Sequence, residues 1–159
     1  ELPRGREQWL RHMSLLAVVA LRSYGGVIMS FPWRAGAWAW IAALCVVGGK
    51  CIGGFASDRF GEVRSATVTL SAAAAALIFS AFPLPGALGL LLFNMSMPVT
   101  LYAARDILRE GRATAFGLLT LGLFLGMLPA FSGASGSGQD YAMICLISIM
   151  LIRVGVGKR

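Results

Sequence analysis

Acidic side chains are scarce in this chain, and their placement matters more than their number. Seven Asp and Glu stand against fourteen Lys and Arg, and none of the seven falls inside a long apolar stretch. Charged residues make up 13% of the chain, about half the share of an ordinary soluble domain. There is a single histidine, His12, and no HExxH, paired carboxylates or Cys/His cluster, so the residue types that hold a metal are not assembled here. Glycine-rich nucleotide loops are missing as well, which excludes ATP-driven work by this chain, and no cofactor is expected. The three cysteines, Cys45, Cys51 and Cys145, lie within or beside apolar stretches without a CxxC pair; they read as small buried side chains rather than a disulfide framework. The net charge of +7 would suggest nucleic acid in a soluble protein. Here no basic stripe interleaved with aromatics exists outside the apolar stretches, so nucleic acid is excluded as a partner.

What the chain has in abundance is apolar length. Hydrophobic residues are 57% of the sequence and its mean hydropathy is +0.75. They come in six blocks, roughly 13–33, 36–56, 66–82, 86–104, 113–131 and 140–154, and a helix needs about 20 such residues to cross a bilayer. The expectation is an all-α integral membrane protein of six transmembrane helices with the lipid bilayer as its solvent. The sixth block is short and needs Gly155 and Val156, or a thin membrane, to span. Residues 1–12 form a basic lead-in or linker, too polar for a cleavable signal, and 13–159 the bundle.

Orientation follows from the bases. Arg4, Arg6 and Arg11 precede the first block; Arg59 and Arg64 follow the second; Arg105, Arg109 and Arg112 follow the fourth; Arg153, Lys158 and Arg159 close the chain. With an even number of spans these share one side and leave Arg34 on the other, which places both termini in the cytoplasm, in a bacterial-type inner membrane. Trp33, Trp38 and Trp40 flank the first outer turn as an interfacial belt. "FPLPG" (Phe82 to Gly86) reads as an outer turn built on two prolines, and "SGASGSGQD" (Ser132 to Asp140) as a flexible outer loop.

The polar stretch "GGFASDRFGEVR", Gly53 to Arg64, falls in the cytoplasmic turn between the second and third spans. Gly53 and Gly54 allow close approach of a neighbouring helix, Asp58 is suited to cap or pair across the turn, and Gly61 supplies backbone freedom. The stretch resembles the motif G-x-x-x-D-R-x-G-R-R/K that major facilitator transporters carry between the second and third helices of each six-helix half. Gly54, Asp58, Arg59 and Gly61 match at the right spacing; Glu62 and Val63 depart from it, and Arg64 stands in for one of the missing bases. The resemblance implies that Asp58 and Arg59 latch the helices on the cytoplasmic side and gate a conformational change. It also implies a second six-helix half, covalent or acquired by dimerisation, that encloses a midplane path and rocks against this one. The basic lead-in followed by "LRSYGG" looks more like the entry to a C-terminal half. An ordinary basic inner loop is the plainer reading of the same residues.

Within the spans, Arg22 lies about nine residues into the first block, roughly 13 Å deep at ~1.5 Å per residue. A charge there is costly unless it meets a partner or water. With no intramembrane acid in the chain, it must be met by a substrate anion, a water-filled cavity or an acid of another half. Tyr24 is expected to line the same cavity or to pack. In "FNMSMPVTLY" Asn94, Ser96 and Thr100 bring polar groups into the membrane and Pro98 interrupts the backbone ladder, a device of transporter substrate sites; Asn94 either lines the path or joins helices. Lys50, nearer the inner end of its block, is read as snorkelling, and Gly122 with Gly126 as a packing face. The function implied is secondary transport of a small solute, anionic or amphipathic, and no enzyme activity. Two rivals remain: a non-transporting membrane subunit or scaffold, and a rhomboid-like protease, since "GASG" around Ser135 matches a serine motif. The protease lacks a base, because His12 lies across the membrane from Ser135.

Overall fold

Helix start and stop signals divide the described residues into seven α-helices and one 3-10 turn. The computed structural model describes residues 4–107, 112–133 and 136–156, with the backbone alone for 4–12, 103–107, 112–116, 130 and 156. In order these are α1 (Arg4–Ile28), α2 (Ala37–Phe60), α3 (Glu62–Ile78), α4 (Pro83–Met95), α5 (Met97–Ile107), α6 (Arg112–Met127), a 3-10 turn at Leu128–Ser132, and α7 (Gly138–Val156). No strand occurs among the described residues. Three runs are long and apolar enough to cross a bilayer: α2, the run Pro83–Tyr102 through α4 and into α5, and Gly138–Gly155 in α7. The apolar parts of α1 (Met13–Ile28) and α6 (Gly117–Met127) are shorter.

Several boundaries differ from the sequence reading for identifiable reasons. Pro83 and Pro85 do not form the outer turn. They open α4, where a missing N–H costs nothing, and the turn is the preceding Phe79–Phe82 segment. The last helix is longer than its apolar block. Asp140 in its first turn accepts hydrogen bonds from the Ser137 N–H and hydroxyl at 2.8 Å each, the first of them the reach-back half of a capping box. α1 takes in part of the basic lead-in and stops at Ile28, short of the first block's end.

Tyr141 secures that stop. Its ring is 1% exposed. Its hydroxyl lies 2.7 Å from the Gly136 carbonyl and 3.0 Å from the Ile28 carbonyl, and accepts from the Ser30 N–H at 3.3 Å. One side chain thus satisfies the open ends of two segments. Tyr141→Phe leaves these groups without that hydroxyl, and the expected cost is about 1–3 kcal/mol. Thermal unfolding in detergent reads it as a lowered midpoint; an unchanged midpoint refutes the role.

Close contacts give the direction of each helix. Leu16 lies against Gly122 and Ala20 against Gly126, so α1 and α6 run the same way, and the glycine pair is a packing face as expected. Gly155 lies beside Ser14 and Gly136 beside Ile28, so α7 runs opposite to α1. Gly49 faces Leu91 and Gly53 faces Met95, making α2 and α4 parallel, while α3 returns between them with Leu77 on Gly89. The α2–α3 turn, the end of α7 and the start of α1 therefore share one end of the bundle. The interior is filled by Val18, Leu70, Leu77, Phe93, Val99 and Ile152. Outside, Trp40 and Phe55 are each 77% exposed. An apolar exterior on three helices of spanning length is the surface a lipid bilayer would cover. Trp33 departs from the expected belt: it stacks on Phe31 at 5.0 Å, donates from Nε1 to the Ser80 carbonyl at 2.9 Å and covers Gly86.

Candidate functional site

The site is organised by a gap in a helix. Pro98 has no N–H to give the carbonyl of Asn94, so the helix that would continue from Pro83 to Ile107 separates at Ser96 into α4 and α5. Ser96 is wholly buried, and its hydroxyl donates to the Phe93 carbonyl at 2.8 Å. The carbonyl end of α4 is a focus of partial negative charge inside the bundle.

Arg22 of α1 meets this end. Its Nη1 donates to Ser96 Oγ, and its guanidinium carbon lies 5.0 Å from the centre of the Phe93 ring. The sequence reading sought its partner in an anion, water or another half's acid; the structure adds a hydroxyl and an aromatic face of the same chain. Arg22 is 9% exposed, and no fully buried polar side-chain atom among the described residues lacks a hydrogen-bond partner. The bond to Ser96 engages one nitrogen of the guanidinium. A guanidinium carries several N–H donors in a planar fork, a set suited to receiving an anion.

The neighbouring candidates divide. Asn94 donates from Nδ2 to the Leu90 carbonyl of its own helix at 2.8 Å, and its Cβ faces Gly49 of α2. Tyr24 is half-buried and packs on the core. Thr100 donates to the Met97 carbonyl at 2.8 Å. The structure thus places Asn94 and Tyr24 in helix packing.

Two residues beyond Ser96, Pro98 joins a second feature. A cleft of about 320 Å³ at the end of the bundle that holds the α2–α3 turn is lined by Gly54, Ser57, Asp58, Glu62, Pro98 and Tyr102. Gly61 makes the turn possible: with φ 85° and ψ 148° it ends α2 and starts α3 without an intervening loop. Its N–H donates to the Ser57 carbonyl and its carbonyl accepts from the Ser65 N–H, each at 3.0 Å. Asp58 does not cap or pair among the described residues; it opens into the cleft. Arg59 and Arg64 are exposed at the same turn. Gly54 also differs from expectation, since a Cβ there would meet nothing within 4 Å, whereas Gly53 lies directly on the Met95 backbone.

Ser135 and the side chain of His12 lie outside the described residues. Comparison with family models, with curated proteins and with solved structures finds no match. The residues that the sequence left unassigned are Phe93 and the role of Ser96. Their signal was present in the pairing of Ser96 with Pro98, which marks a helix end inside an apolar run.

Proposed function

We propose that the chain is one six-helix half of a secondary transporter of the major facilitator kind, moving a small anionic or amphipathic solute by alternating access. The observation that carries the reading is the interior Arg22, held by Ser96 and the Phe93 ring at the broken helix. Retaining a charge at such a place is costly, and substrate and ion paths are the usual reason for it. The spacing of Gly54, Asp58, Arg59 and Gly61 supports it independently. In this reading α1, α2, α3, α4–α5, α6 and α7 are six spans, the α2–α3 turn is cytoplasmic along with both ends of the chain, and the membrane is of the bacterial inner type.

Geometry suggests how site and gate communicate. α5 begins at the Ser96 break and carries Pro98 and Tyr102 along the cleft that contains Asp58. A solute anion that draws Arg22 away from Ser96 releases the upper end of α5, and its swing widens or closes the cleft beside the turn. A second half, covalent or a second bundle, completes the path.

The test is uptake into proteoliposomes of a panel of labelled small organic anions. Saturable uptake by the native protein, competed by excess unlabelled anion, is expected; no uptake across the panel or of lipophilic amphiphiles rejects transport in favour of a non-transporting subunit. Asp58→Asn is expected to lower uptake at least about tenfold, the size of losing one charge-assisted contact made only during the cycle. Because Asp58 is exposed and unpaired among the described residues, the thermal midpoint should stay within about 2 °C, as for surface substitutions of under ~0.5 kcal/mol. Full uptake by Asp58→Asn rules out its part in the gate.

A further inference from the structure

α2 is the least covered of the spanning helices: only Ala42, Gly49, Gly53 and Ser57 on it are buried. The buried stripe faces α4. On its flank, at steps of three and four residues, come Ala39, Ala43, Val47, Lys50 and Gly54. At 100° per residue these share one side of the helix. Ala39, Ala43, Val47 and Lys50 are exposed, and beside Gly54 there is open space. The next face round is different, with Trp40, Leu44 and Phe55 each more than two-thirds exposed and bulky, as suits acyl chains. Ala39, Ala43 and Gly54 in this seam are small, and such positions let a helix backbone approach.

Lys50 puts a positive charge in the middle of that seam. It lies ten residues before the end of α2, about 15 Å along the axis. Snorkelling to the near membrane surface is hindered by direction. Side chains on an α-helix lean toward its N-terminus, and in the topology proposed above the N-terminus of α2 is the far, outer end. The stem of Lys50 therefore starts toward the bilayer centre. Among the described residues no carboxylate reaches it. Asp58, the nearest on α2, is eight residues and about 12 Å away along the axis, and the apolar blocks hold no Asp or Glu except Asp140 at the first position of the sixth. A second copy related by an axis along the membrane normal would bring Lys50 toward Lys50 at equal depth, and would supply no intramembrane acid.

We infer that the Ala39–Gly54 seam of α2 is the docking face for a transmembrane helix that is not a copy of this chain and carries an Asp or Glu at the depth of Lys50. The two charges neutralise one another where neither could stay alone, and the small residues on either side let the backbones approach closely enough for the pair to form. This inference rests on the orientation in the proposed function and specifies the chemistry of the second half.

The experiment places a photo-crosslinking phenylalanine analogue at Ala43 in the native protein in its own membrane and maps the linked peptide by mass spectrometry. The expected product is an apolar span containing an Asp or Glu. Lys50→Arg should retain at least half the yield, and Lys50→Glu should lose at least tenfold. Exchanging the charges, Lys50→Glu together with the mapped acid changed to Lys, should restore at least half the yield, which a simple failure of insertion would not allow. Linkage to a second copy of this chain, to lipid alone or to a span without an acid overturns the inference, as does a charge exchange that restores nothing. A mapped and charge-dependent crosslink in a protein that transports no solute would remove the transport reading and leave the docking face standing.

Discussion

Arg22→Leu is expected to lower uptake at least about tenfold while leaving the fold close to its original stability. How the guanidinium is compensated decides both effects. Its desolvation costs several kcal/mol. One hydrogen bond between a charged donor and the Ser96 hydroxyl returns about 1.5–3 kcal/mol, and the Phe93 ring at 5.0 Å about 2 kcal/mol when desolvated. The carbonyl end of α4 adds a contribution of up to about 2 kcal/mol. These terms roughly offset the cost, so Arg22 contributes little net stability, and a leucine, though shorter, fills the space of the stem without burying a charge. Ser96 remains satisfied through its own bond to Phe93. What the substitution removes is the guanidinium's donors, which the proposed solute would need. Losing one charge-assisted contact with a solute anion lowers uptake by about 10- to 150-fold.

Two measurements on the same variant separate the alternatives. Uptake lost with a thermal midpoint within about 4 °C, an interval worth about 1–2 kcal/mol in a chain of this size, assigns Arg22 to the solute. Uptake and midpoint falling together would make Arg22 a prop for the broken helix. Ser96→Ala should then show a matching loss of stability, since it removes the acceptor at the other end of the same bond. Arg22→Lys distinguishes further: an ammonium keeps the charge but not the planar set of donors, so partial uptake with a raised KM is expected if two nitrogens meet the anion.

How far this could be read beforehand depended on whether the signal was local. The helical class, the interruption beside Pro98 and the anomaly of Arg22 all follow from residues adjacent in sequence. The partner of Arg22 does not, because Ser96 is 74 positions away and only packing brings the two together. Tyr141 was silent for the same reason: nothing near it indicates that its hydroxyl would serve Ile28 and Ser30, more than a hundred residues earlier. The phase of α2 was hidden by chemistry. A membrane helix that is apolar all round has no polar face to mark its outside, so the sequence could not tell which of two adjacent glycines is covered. The prolines of "FPLPG" were visible but ambiguous, since proline opens helices as readily as it makes turns.

Those adjacent glycines should respond to substitution with opposite signs. Gly53→Leu is expected to be the most destabilising single change on α2, and Gly54→Ala to be neutral or mildly stabilising. At Gly53 an added Cβ would fall on the Met95 carbonyl oxygen and within 2.6 Å of its Cα. These are backbone atoms at the last turn of α4, next to the Ser96 break, and they cannot rotate aside as a side chain would. Relief requires moving α2 away from α4, its most extensive contact, and with it the Gly49–Leu91 approach one turn earlier. Overpacking of this kind costs about 1–3 kcal/mol or more, a fall of about 3–10 °C in the thermal midpoint. At Gly54 an added methyl meets nothing within 4 Å, and replacing glycine by alanine inside a helix gains up to ~1 kcal/mol. Measured side by side in detergent, a lowered midpoint for Gly53→Leu with an unchanged or raised one for Gly54→Ala fixes the rotation of α2 about its axis. The reverse pattern would turn the helix by about 100°, move Lys50 off the flank that adjoins the cleft and withdraw the docking face argued for it.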